Sequence, residues 1–169
     1  MLAQIATDTS LSETLEKLLR AVEDMSQGGM MTSILLLDES GKRLLHGAAP
    51  SLPPSYNAAI HGIEIGPGVG SCGTAVYLGH SVYVTDIESD PLWKDFRGLA
   101  QEHGLRACWS TPIIGSDSKV LGTFAIYYPT PRSPTPREIE SIKLISQTTA
   151  AAIERHRASS PALSPVIPM

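Results

Sequence analysis

The chain has 169 residues, 42% of them hydrophobic, and at that length it is expected to fold around one core, burying roughly 70% of its unfolded surface. Its formal net charge is -4 with no run of Lys or Arg longer than a pair, so it lacks the basic footprint that draws phosphate backbones, which excludes nucleic acid as a direct partner. Apolar stretches such as residues 34–37 fall far short of the ~20 residues of a membrane span, and no basic region followed by an apolar core opens the chain, so a soluble, cytoplasmic protein with no membrane partner is expected.

Residues 1–9 read as a flexible N-terminal segment. Over residues 10–26, Leu11, Leu15, Leu18, Leu19, Val22 and Met25 recur on one helical stripe, with Ser10 and Glu13 at capping-box spacing, so an amphipathic helix is expected there. Gly28 and Gly29 mark its end. Two apolar runs, 32–38 and 42–49, flank the turn-forming Asp38, Glu39, Ser40 and Gly41, the pattern of an antiparallel hairpin. Pro53 and Pro54 end the second run. A short helix over 55–60 and a short strand over 63–65 lead into a glycine-rich stretch over 66–70 and a helix over 72–78 stopped at Gly79.

Residues 82–84 form a short strand, after which Asp90 caps a middle helix with Pro91 at its first position and Gly104 after its last turn. Residues 106–114 and 120–128 pair across 115–119 as a second hairpin, which brings the β content to about six strands. Thr135, Pro136 and Glu138 open a closing helix with Ile139, Ile142, Ile145 and Ile153 inward, running to about His156. One domain is thus expected over 10–157, with 158–169 a Pro/Ser-rich tail or linker. Strands grouped as hairpins, with long helices at both ends, imply an α+β fold with an antiparallel sheet and segregated helices.

Several separated motifs occur in one order along this framework. Gly70-Ser71-Cys72-Gly73-Thr74-Ala75 precedes a strand ending in Asp86 and Ile87, followed by Asp90-Pro91-Leu92-Trp93. Further on come Gly104-Leu105-Arg106-Ala107-Cys108-Trp109-Ser110-Thr111-Pro112-Ile113 and Lys119-Val120-Leu121-Gly122-Thr123-Phe124-Ala125. Segment 68–128, which carries them, resembles the GAF family, and with the flanking helices the similarity spans residues 11–156. It is similar to the subtype attached to bacterial signalling proteins, including the sensor histidine kinases of two-component systems and diguanylate cyclases. The resemblance implies a GAF/PAS-like six-stranded antiparallel sheet with the terminal helices on one face and a small-molecule cavity on the other, roofed here by 72–78 and 86–104. It also implies a sensory role, with output on another domain or partner protein, and a homodimer through the apolar stripes of 11–25 and 139–153.

A ligand site of this kind should be concave and mostly apolar, with a few polar groups fixing orientation. Trp93 and Phe96 lie one helical turn apart and can share a face, and on the family layout Thr74, Ser110 and Thr123 bring hydroxyls near the sheet. Aromatic walls with hydroxyl contacts suit a planar or heterocyclic ligand, although the same aromatics would also seal a small core. Strand alternation puts Cys108 and Ser110 on one face and Trp109 on the other, so with Ser110 toward the cavity Cys108 is a pocket-facing thiol and Trp109 meets the terminal helices. Asp86 and Asp90 read as a carboxylate pair for a cation or ligand amine, or, for Asp90, as a helix cap. Cys72 opens a helix, where the macrodipole and free amides lower a thiol's pKa, so it is either a small buried hydrophobe or a redox-active group. The candidate ligand-binding set is therefore Cys72, Thr74, Asp86, Trp93, Phe96, Cys108, Ser110 and Thr123, for an unidentified small molecule. No metal is expected, because the two cysteines lack the paired spacing of zinc ligands and the five histidines lie at no chelating spacing.

Three other readings compete. Residues 68–73 match GxGxxG between a strand and a helix, the pattern of a dinucleotide-binding turn, yet the following helix is short for a parallel crossover and the hairpins argue antiparallel pairing. Some GAF-fold proteins are free-methionine sulfoxide reductases, and Cys72 sits at a position resembling one of their cysteines, but 102–105 carry no cysteine where that family places a reactive one, so no catalytic residue is assigned. No bilin-attachment motif is recognisable around His103. If no ligand enters, a dimerisation module is what remains.

Overall fold

The computed structural model describes residues 2–26 and 29–159, with side chains from Ser10 onward. In chain order the elements are α1 (Leu2–Asp24), β1 (Met31–Leu37), β2 (Arg43–Ala48), α2 (Pro54–Ile60), β3 (Ile63–Glu64), α3 (Cys72–Leu78), β4 (Val82–Val84), a 3-10 turn (Pro91–Trp93), α4 (Arg97–Glu102), β5 (Ala107–Ile114), β6 (Val120–Tyr128) and α5 (Pro136–Ala158). The strands form one six-stranded sheet in the order β3-β2-β1-β6-β5-β4, and each pairing is antiparallel. This is the α+β architecture that the hairpin grouping predicts.

Local chemistry sets the turns. The Asp38 carboxylate accepts from Ser40 Oγ at 2.8 Å and from the Lys42 and Arg43 amides at 3.2 Å, closing the β1–β2 hairpin as an Asx-type turn does. At the sheet centre β6 crosses β1 so closely that a Cβ on Gly122 would stand 2.0 Å from the Leu35 carbonyl oxygen, so only glycine fits there.

The strand pleat then sorts the core into two faces. On one face Trp109, Phe124 and Ile126 pack against Leu11, Leu15 and Leu19 of α1 and Ile142, Ala150 and Ile153 of α5. On the other, Leu35, Cys108, Ala125 and Tyr127 meet the short segments α2, α3 and 91–102 through Tyr56, Ile60, Ala75, Trp93 and Ala100. The start of α5 is anchored by Arg132, whose carbonyl accepts from Trp109 Nε1 at 2.9 Å while its guanidinium lies 4.5 Å from the Tyr128 ring centre and pairs with Glu138 at 2.8 Å. The expected capping box is formed, Thr135 Oγ1 accepting from the Glu138 amide at 3.1 Å and the Glu138 carboxylate from the Thr135 amide at 2.9 Å.

Two expectations are corrected. The first helix starts at Leu2, inside the segment read as flexible, and Ser10 lies within it, its carbonyl accepting from Thr14 Oγ1 at 3.0 Å. Capping-box spacing occurs there without a helix start, because residues 2–9 include Ala, Gln and Leu and no helix breaker. The middle helix divides into the 3-10 turn and α4, with Phe96 at φ -121 between them. That break, rather than helical spacing, lets Trp93 and Phe96 both face the sheet. Gly28 and residues 160–169 of the predicted tail lie outside the described residues. Among the described residues no helix is long and apolar enough to cross a membrane.

Candidate functional site

Of the residues singled out from sequence, Cys72, Trp93 and Phe96 line a cavity between roof and sheet, together with Leu35, Tyr56 and Tyr127. Its volume is about 20 Å³, whereas small-molecule sites run to hundreds. It holds little more than one water, since a water needs roughly 10–15 Å³ of such space. The hollow expected beneath the roof is thus nearly filled, chiefly by the Tyr56, Trp93 and Phe96 rings.

The other candidates surround this space or lie away from it. Thr74 Oγ1 donates to the Gly70 carbonyl at 2.6 Å and accepts from the Val69 amide at 3.0 Å, so it fastens the first turn of α3. Trp93 Nε1 donates to Ser71 Oγ at 3.0 Å, and Ser71 Oγ donates to the Cys108 carbonyl at 2.9 Å, locking the roof to β5. Ser110 Oγ lies 3.0 Å from Cys72 Sγ and 3.8 Å from Cys108 Sγ. Thr123 Oγ1 is buried on β6 without a well-formed hydrogen bond. Asp86 stands apart from the cavity, paired with the Arg106 guanidinium at 3.2 Å, and Asp90 accepts from the Leu92 amide at 2.9 Å. The two carboxylates are therefore engaged separately, which removes the observation behind a cation-binding pair. Asp90 is a cap, ahead of the 3-10 turn.

Both thiols are buried and free. The neighbouring Cys108 thiol, opposed by burial and helped by Ser110, by a poorly aligned Thr123 and by Tyr127, lowers Cys72 to about 7. Burial first, and then Cys72 itself, hold Cys108 well above the ordinary thiol range. A hydrogen-bonded sulfur flanked by donors favours its anion, and a sulfur enclosed by apolar groups disfavours it.

Sequence reasoning missed the Tyr56–Tyr127 pair. Tyr56 donates to the Tyr127 hydroxyl at 3.0 Å across the cavity, with ring centres 5.6 Å apart and edge to face. Burial raises both phenols well above their usual range. Tyr127 follows Thr123 and Ala125 at the strand period, so alternation alone places it on this face. His103 holds α4 to α2, its Nε2 lying 2.8 Å from Ser55 Oγ.

The glycines of 68–73 serve packing. Gly70 has φ 60 and lies beneath the Trp93 ring, and a Cβ on Gly73 would stand 2.6 Å from the Val69 Cβ. With β4 antiparallel to β5, the dinucleotide reading has no parallel crossover to rest on. Among the described residues no cluster of three or more His, Cys, Asp or Glu could hold a metal ion.

A six-stranded antiparallel sheet with long terminal helices on one face and a roof of short segments on the other is the architecture of one α+β domain class. The chain belongs to the GAF domain family, whose model it matches over residues 8–154. Over 159 residues, 94% of this chain, it is 40% identical to the methyl sulfide methyltransferase-associated sensor of Methanosarcina acetivorans, of which the match spans only 16%. Among solved structures, a domain described as belonging to a two-component sensor histidine kinase protein from Sinorhizobium meliloti 1021 superposes with TM-score 0.73 at 22% identity, covering 91% of this chain and 98% of that one. The type II free methionine-R-sulfoxide reductase of Thermoplasma acidophilum superposes with TM-score 0.68 at 15% identity, covering 89% and 96%. At such identities these two structures show the fold alone.

Proposed function

We propose that the chain is a non-enzymatic sensory GAF domain of the cytoplasm, which takes a small molecule between roof and sheet and signals through its terminal helices to an output domain or partner protein. The observation that carries this reading is the roof itself: α2, α3, the 3-10 turn and α4 are each seven residues or shorter, and beneath them lie the hydroxyls of Ser110, Thr123 and Tyr127. Short segments open at lower cost than long ones, and a ligand that binds the opened roof shifts the population toward it by its differential affinity. Outward swing of Tyr56, Trp93 and Phe96 would enlarge the cavity to ligand size. Resemblance to a protein named as a sensor supports the role. A route toward α1 runs through Ser51, whose hydroxyl donates to Glu23, while the same carboxylate accepts from the Thr32 amide at 2.8 Å.

The test is native mass spectrometry of protein from its source under reducing conditions, followed by thermal-shift screening. A bound mass, or a compound that raises Tm by several degrees at about 100 times its Kd and loses that effect in Phe96→Ala, supports the reading. A clean apoprotein mass and a silent screen overturn it. The nearly filled cavity favours the second reading in that event, a helix-mediated dimerisation module without ligand. The predicted stripes are mostly occupied, because Leu11, Leu15, Leu19, Ile142 and Ile153 are buried on the chain's own sheet. A homodimer would rest instead on the exposed Met25 and Leu144. Sedimentation showing a dimer that Leu144→Glu dissociates would support it, and a monomer at high concentration would remove it.

A further inference from the structure

Two thiols from different elements converge on one hydroxyl. Cys72 is the first residue of α3 and Cys108 the second of β5, yet both sulfurs lie within 3.8 Å of Ser110 Oγ. The approach is held by the residue beside Cys72, because Ser71 Oγ is bonded directly to the Cys108 carbonyl and carries Trp93. The thiols also differ in access: Cys72 lines the small cavity, and Cys108 is fully buried behind it. We infer that Cys72 and Cys108 form a dithiol oxidation site, closing to an intramolecular disulfide when hydrogen peroxide enters the cavity beneath the roof.

The chemistry assigns each thiol a part. The Cys72 thiolate attacks one peroxide oxygen, the O–O bond breaks, and the departing hydroxide takes up the thiol's proton as water, leaving Cys72 as the sulfenic acid. Cys108 then attacks that sulfur, the S–O bond breaks, and the hydroxyl leaves with the Cys108 proton as a second water. Peroxide is reduced, two thiols are oxidised to one disulfide, and an external dithiol reverses the change. The titratable groups facing Cys72 are Cys108 from β5, Tyr127 from β6 and Tyr56 from α2. The lowered pKa of Cys72 fits the attacking role, since thiolate is the nucleophile. A cavity of about 20 Å³ has room for a molecule little larger than water, which favours hydrogen peroxide over bulky hydroperoxides. Bridging takes Cys72 from Ser110 and moves the Ser71–Trp93 bond above it, so oxidation reaches the roof.

The experiment takes the fully reduced chain, adds hydrogen peroxide, alkylates under denaturing conditions and maps peptides by mass. The expected product is a Cys72–Cys108 crosslink in monomeric protein, reversed by dithiothreitol, forming faster as pH rises through about 7 and roughly tenfold slower with tert-butyl hydroperoxide. In Cys108→Ser, a dimedone-trappable sulfenic acid should persist at Cys72. Two alkylated cysteines after treatment, or a sulfinic acid at Cys72 with Cys108 still free, overturn the inference. The wild-type map carries the result even if a cysteine variant fails to fold. This readout follows thiols rather than bound mass, so it fails or succeeds independently of the ligand reading.

Discussion

The two faces of the sheet are built from the same strands and differ in what they leave open. On the helix face β5 and β6 present Trp109, Phe124 and Ile126 to two 23-residue helices. On the roof face the neighbouring positions carry Cys108, Ser110, Thr123 and Tyr127 beneath four short segments. Yet the larger hollow lies on the helix side: a groove of about 410 Å³ lined by Val22, Met25, Met30, Trp109, Leu144 and Ile145, against about 20 Å³ beneath the roof. The lesson is that polar inventory and open volume separate. The roof face has the chemistry without the space, and the groove beside α1 and α5 has the space behind mostly apolar walls.

If the helix face is where stability resides, truncation there should cost most. Trp109→Ala removes a ring that is 1% exposed together with its hydrogen bond to Arg132, and the expected loss is about 3 to 5 kcal/mol by urea denaturation. A loss near 1 kcal/mol would mean that the helices do not depend on the sheet as described. On the roof face, Tyr127→Phe leaves the buried Tyr56 hydroxyl without its partner and should cost about 1 to 3 kcal/mol. Adding Tyr56→Phe should restore part of that, because two apolar rings leave nothing unsatisfied. Strict additivity in the double variant would remove the pair as a roof fastener. Glu23 ties α1 to β1 and to the loop that leads into α2, so Glu23→Gln should cost about 1 to 2 kcal/mol and lower hydrogen-exchange protection in α2 as well as at the end of α1. Unchanged exchange in α2 would cut this route from roof to helix.

The sequence made the faces legible and left the volumes hidden. Alternation around Trp109 placed it against the terminal helices, Thr135 and Glu138 marked the start of α5, and Asp90 declared itself a cap, because each rests on contacts within a few residues. Cavity size depends on how Tyr56, Trp93 and Phe96, from separate segments, share one space, and no local period encodes that. Tyr127 was readable from the β6 pleat. Tyr56 was not, since one short helix shows no periodicity and its buried face is set by the sheet. Asp86 looked available because its partner Arg106 is distant in sequence.

The smallest expected effect lies at the edge of the comparison, where β2 meets α1. His46 is held below the ordinary histidine value of 6.5, first by partial burial and then by His61, with Glu16 opposing. The His46 amide also donates to His61 Nδ1 at 2.9 Å, so the two side chains share this edge. With the folded pKa lowered, the unfolded chain takes up the proton first as pH falls. The contribution is therefore whole above 6.5, declines as pH drops below it, and levels off once folded His46 protonates too. Urea midpoints taken from neutral to mildly acidic pH should fall in the wild type and fall less steeply in His46→Asn. Parallel curves would show that the slope arises elsewhere, and a steeper curve in the variant would mean that Glu16 outweighs burial and His61 at this position.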